Sequence, residues 1–141
     1  ESALWSLDRK DGMEKAYCCF NSNARDFARF GQLLLNNGQW DDRQLISPAY
    51  LAEATSPDTR LVYKDLGKPN HCYGFQYWIL DYKGMKIPYM RGILGQYVFT
   101  LPEKNAVIVR LGHKRSDTYT ADQHYPDDIN TWLDAAMDLL Q

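Results

Sequence analysis

Cysteine is scarce in this chain of 141 residues: there are three, two of them adjacent at Cys18 and Cys19, with no C-x-x-C spacing. That pattern suggests neither a disulfide framework nor a zinc knuckle, so buried thiols are expected. Excess positive charge is also lacking. Against 16 Lys+Arg stand 18 Asp+Glu, a net charge of −2, which leaves nothing to neutralise a phosphate backbone and argues against nucleic acid as a partner. The longest apolar runs, such as Leu33–Leu35 and Ala106–Val109, fall far short of the ~20 residues that span a bilayer. The N-terminus has no signal-peptide pattern, so the chain as it stands reads as soluble with no membrane span. No P-loop, G-x-G-x-x-G, H-E-x-x-H, G-x-S-x-G or EF-hand spacing occurs. His71, His113 and His124 are far apart in sequence and read as surface or core histidines, and neither a metal nor a cofactor is implied.

What is present is a globular composition, 45% hydrophobic and 24% charged, in a length that fits one domain or fragment. Residues 1–72 read as a helical region and loop, and 73–141 as an antiparallel sheet with a C-terminal helix. Asn23 can cap a helix whose Asp26 faces the positive end of the dipole. The stripe Phe27, Phe30, Leu34 follows helical spacing, with Gly38 placed for a left-handed cap. Ser47-Pro48 opens a second, short helix stopped by Ser56-Pro57, and Pro57 to His71 reads as a long surface loop. Strands are predicted at Tyr73–Leu80, Lys86–Met90, Gln96–Leu101 and Ala106–Leu111. Their connections are too brief for parallel crossovers, so they form a meander. Pro126-Asp127-Asp128 opens a last helix whose Ile129, Trp132, Leu133, Ala136 and Leu140 should lie on the sheet. The fold class is α+β. The aromatics Tyr73, Phe75, Tyr77 and Trp78 read as strand packing. Gly92-Ile93-Leu94-Gly95 reads as a tight turn whose glycines let a ligand approach the backbone.

Several segments together resemble a known family: Ala3-Leu4-Trp5-Ser6-Leu7-Asp8, Asn23-Ala24-Arg25-Asp26-Phe27-Ala28-Arg29-Phe30-Gly31, Leu45-Ile46-Ser47-Pro48, Gly92-Ile93-Leu94-Gly95-Gln96 and Leu101-Pro102-Glu103. Their order and spacing are similar to the C-terminal half of serine β-lactamase-related proteins, close to class C β-lactamases and the 6-aminohexanoate-dimer hydrolase branch. The resemblance implies an acyl hydrolase that forms an acyl-enzyme through a serine in S-x-x-K, assisted by a tyrosine in a Y-x-N-like motif. A third motif, K-T-G or H-x-G, lies on a strand. None of Ser2, Ser6, Ser22, Ser47, Ser56 and Ser116 is followed by lysine three residues on, and no tyrosine by asparagine two residues on.

By this resemblance the chain is expected to be a C-terminal fragment, inert by itself, of an enzyme acting on a small-molecule amide or ester. Aligning the third motif's glycine with Gly92 places Met90 at the Lys/His position and Ile93 where a backbone N–H completes an oxyanion hole, with Gln96 orienting the turn. A thioether at Met90 cannot donate a proton or carry charge, so a non-catalytic binding domain on the same scaffold is the alternative. A metal enzyme using Cys18, Cys19 and the histidines is a third option. Relatives are commonly exported by bacteria, so an exported or periplasmic location is compatible with the resemblance, and the sequence itself assigns no compartment. The apolar edge of Ala106–Leu111 is expected to drive self-association.

Overall fold

A computed structural model describes residues 3–63, 67–122 and 124–140. Of the features above, Ser2 and residues 64–66 of the predicted loop lie outside the described residues. The first helix, α1, runs Ala24–Leu35, and the Asn23 side chain accepts the Asp26 N–H as anticipated. At its far end the Gly38 N–H bonds the Leu33 carbonyl and the Asn37 N–H that of Leu34. This double closure puts the first left-handed residue at Asn37, with φ 51°, one position before Gly38 at φ 83°. The second helix, α2, spans Pro48–Ala54 with the Ser47 side chain accepting the Tyr50 N–H. The predicted loop after it is not structureless, because Val62–Tyr63 pairs antiparallel with Lys68–Pro69.

Four strands, β1 (Trp78–Tyr82), β2 (Met85–Gly92), β3 (Gln96–Leu101) and β4 (Ala106–Leu111), form one antiparallel meander in sequential order. The first starts later than its aromatic alternation predicts. Gln76 takes φ 65°, which breaks the extended run and turns Tyr73 back against Trp78 with ring centroids 4.7 Å apart. The strand instead continues to Tyr82, where Lys83 and Gly84, at φ 51° and 85°, make the two-residue hairpin with its primed twist.

The pleat sorts the sheet into two faces. Leu80, Ile87, Tyr89, Tyr97, Phe99 and Leu101 lie on one side and are buried against Ile129 and Leu133 of the last helix, α3 (Asp128–Leu139). The sequence reading also turned Trp132 and Leu140 inward, but they remain 42% and 38% exposed. Helical twist moves them off the buried line, and Met137 packs on the core instead. Against the other face lies α1, so closely that a Cβ on Gly31 would stand 2.5 Å from a Val107 methyl. The sheet is therefore covered on both sides, which explains why β3 is buried along almost its whole length.

The cysteines depart from expectation. Cys18 and Cys19 are exposed and joined to each other by a disulfide, while Cys72 is buried and outside that disulfide, as anticipated. Sequence neighbours can bond only through a small ring closed by local backbone geometry, and Cys19 adopts φ 71°. Spacing rules built on separated pairs do not see it.

One buried group carries a pH signature. The Tyr97 hydroxyl is buried and bonds no described group. Burial above all, reinforced by the Asp128 carboxylate, pushes this phenol up to about 12 from an ordinary 10.0. A raised acid favours its neutral form in the fold, so its contribution is fully present below pH 10 and lost as pH rises from there through about 12. The urea midpoint should be flat from neutrality to the ordinary tyrosine range and fall above it, less steeply in Tyr97→Phe. At neutral pH that variant, which removes an unpaired buried hydroxyl, should equal the parent or gain ~1 kcal/mol. A loss of that size would show the hydroxyl to be bonded in solution.

Candidate functional site

The strand register decides which candidate residues meet. Met90 pairs with Val98 and Gly92 with Gln96, so alternation places Met90, Gly92 and Gln96 on the face that also carries Val107 and α1. Arg91, between them, points to the opposite face, where its guanidinium lies 3.4 Å from the Trp78 ring centroid and donates to the His124 carbonyl at 2.9 Å. Met90 is half-buried. The next residues, Ile93–Gly95, form a tight turn at the end of the sheet. Ile93 is 79% exposed, so the turn stands at the surface beside the end of that face.

Within the turn the conformational demand falls on other positions than the sequence suggested. Gly92 has φ −97° and ψ 176°, extended backbone open to any residue. The left-handed residues are Leu94 at 57° and Gly95 at 81°, the latter buried. Two side chains fasten this end. Gln96 donates through Nε2 to the Gly112 carbonyl at 2.5 Å. Arg110 donates through Nη1 to the Gly95 carbonyl at 2.6 Å and through Nη2 to the Lys114 carbonyl at 2.9 Å. Sequence reasoning missed Arg110, whose strand it read only as an apolar edge. The adjacent Gly112 was a usable signal, since a glycine directly after a strand marks a close backbone approach.

Away from this turn, a concavity of about 480 Å³ lies along the outer side of α1 between Phe20, Phe30, Leu33 and Leu45. At its margin the buried Asp26 accepts hydrogen bonds from Ser22 at 2.5 Å, Asn23 at 2.9 Å and Arg29 at 2.5 Å. This carboxylate is saturated and serves to anchor the start of the helix. Among the described residues no three His, Cys, Asp or Glu side chains gather into a metal-binding cluster. Bonded to each other, Cys18 and Cys19 offer no thiolates, which removes the sulfur ligands from the metal-enzyme option. No helix of the described residues is long and apolar enough to cross a membrane.

The scaffold built by these elements is hydrolase-related and β-lactamase-like. Among solved structures the chain is similar to "Putative 6-aminohexanoate-dimer hydrolase from Bacillus anthracis", with a TM-score of 0.70 and 25% sequence identity over 98% of this chain. It spans 33% of that protein's length. No family model matches the chain, and no curated protein does.

Proposed function

We propose that this chain is the C-terminal part of a serine hydrolase of the β-lactamase-related family, which when complete cleaves a small-molecule amide or ester through an acyl-enzyme. The observation that carries the reading is the union of two facts. Nearly the whole chain superimposes on about a third of a hydrolase structure, and Met90, Gly92 and Gln96 share one sheet face that runs into the exposed Ile93 turn. In the complete enzyme the Ile93 N–H supplies one oxyanion donor, a role that needs backbone geometry and no particular side chain. The nucleophile comes from elsewhere, because covalent catalysis requires an activated group and this sequence has no S-x-x-K. The isolated chain should therefore hydrolyse neither a chromogenic β-lactam nor p-nitrophenyl esters above buffer. Stoichiometric labelling of one of its serines by a fluorophosphonate would overturn this.

Met90 supports a second reading, a binding domain that keeps the scaffold without the chemistry, since its thioether sits where the resemblance puts Lys or His. The reading frame of the parent gene separates the two: S-x-x-K upstream favours the enzyme, and its absence favours the binding domain. In either case β4 is an edge strand, bonded on one side to β3 and on the other to no strand of the described residues. Ala106-Val107-Ile108-Val109 has neither proline nor charge to discourage pairing. Self-association through this edge is part of the proposal, and a clean monomer across a dilution series in light scattering would refute it.

A further inference from the structure

We propose that Arg110 is the positioning residue of the Gly92–Gly95 turn, a role that rests on the oxyanion reading of Ile93 and adds to it a residue on the opposite face of the sheet. The guanidinium leaves β4 and passes beneath the turn. It bridges two carbonyls from separate segments, Gly95 at 2.6 Å and Lys114 at 2.9 Å. The Gly95 carbonyl also accepts the Gly112 N–H at 3.2 Å, so turn and post-strand segment are tied together at one oxygen.

Both glycines make room for it. A Cβ built on either Gly95 or Gly112 would overlap the Arg110 guanidinium. Aromatic rings complete the seat, with Trp132 at 4.5 Å and Tyr97 at 5.6 Å from its central carbon. Trp132 is itself held by its indole N–H on Asp128 at 3.2 Å. Among the described residues no carboxylate forms an ion pair with Arg110, so its donors are directed at backbone carbonyls. Such a clamp answers a specific need. Leu94 sits in the left-handed region at φ 57°, where a non-glycine residue persists only if its surroundings hold it. A planar fork on a stacked ring can bridge two carbonyls in a fixed geometry, which lysine cannot do.

The test compares Arg110→Met and Arg110→Lys by amide hydrogen exchange on the 141-residue chain and by steady-state kinetics on the full-length protein. Exchange at residues 94–96 and at Gly112 should quicken at least about tenfold in Arg110→Met and less in Arg110→Lys, while Val98, Phe99 and Ile108 stay protected. In the full-length enzyme kcat should fall at least about tenfold in Arg110→Met with KM nearly unchanged, and recover in part with lysine. If methionine loosens the whole sheet, the lysine variant decides. Unchanged exchange at 94–96 and at Gly112 in a folded variant overturns the positioning role, and so does quickened exchange with unchanged kcat. A full-length wild type that hydrolyses nothing would instead sink the functional reading, with the exchange result still deciding whether Arg110 holds the turn.

Discussion

Gly92→Val in the full-length enzyme is expected to cut turnover by about 10²–10³, the range seen when an oxyanion contact is lost, while leaving the fold nearly intact. The separation of the two effects follows from geometry. At φ −97° and ψ 176° the backbone accepts valine without strain, and an extended position tolerates a β-branched residue well. A Cβ here would meet Gln96 Cβ at 3.0 Å and Cγ at 3.3 Å. Both contacts are tighter than ordinary, so Gln96 and the strand end that carries it must give by a few tenths of an ångström, a small local shift at the edge of the fold. The new methyl groups would occupy the face shared with Met90, where the resemblance places the substrate. Thermal unfolding of the chain and kcat of the complete protein measure the two sides. Full turnover would remove Gly92 and Ile93 from the site.

Phe99→Ala should cost about 3–5 kcal/mol, a large part of the stability of an ordinary small domain. Phe99 has no exposed surface, lies on an inner strand, and packs against Tyr89 and Tyr97 with centroids 5.3 and 5.4 Å away. Helices cover both sides of the sheet, so the cavity cannot collapse cheaply, and the transfer and cavity penalties add. Urea unfolding of the variant against its parent gives the number. A loss below about 1 kcal/mol would mean that this centre repacks freely, contrary to the close packing of protein interiors.

How much of this was legible depended on how local the cause was. Asn23 and Ser47 act within three residues of themselves, and both helix starts stand where the sequence puts them. The strands β3 and β4 also match, since each is bounded by turn residues at both ends. Tyr73–Leu80 misled because alternation describes what a strand would bury and is silent about Gln76, whose positive φ ends the run. Trp132 misled because a helical stripe is wider than its buried line, and Arg110 supplies a surface on which it packs. Of the candidate site, the turn was readable from its flanking glycines, while the face shared by Met90, Gly92 and Gln96 follows from the register between two strands, which alternation along either one does not set. The Arg110 clamp was not readable, because it joins Gly95 to Lys114 through space and leaves no periodic trace. The Cys18–Cys19 ring lies outside the spacing rules altogether.

The division of the sheet into two faces makes the turn a counting device as well as a connection. Gly92 and Gln96 are paired across it, so its length sets the parity of every side chain that follows. One residue more or less between them, if the turn did not absorb it, would send Tyr97, Phe99 and Leu101 toward α1 and bring Val98 and Thr100 under α3. Large rings would then meet the side fitted to Gly31 and small groups the side that needs filling. Length variation at this end of the sheet is thus penalised by the core itself, before any question of chemistry arises. Sequence variation there should therefore appear as substitution at fixed length.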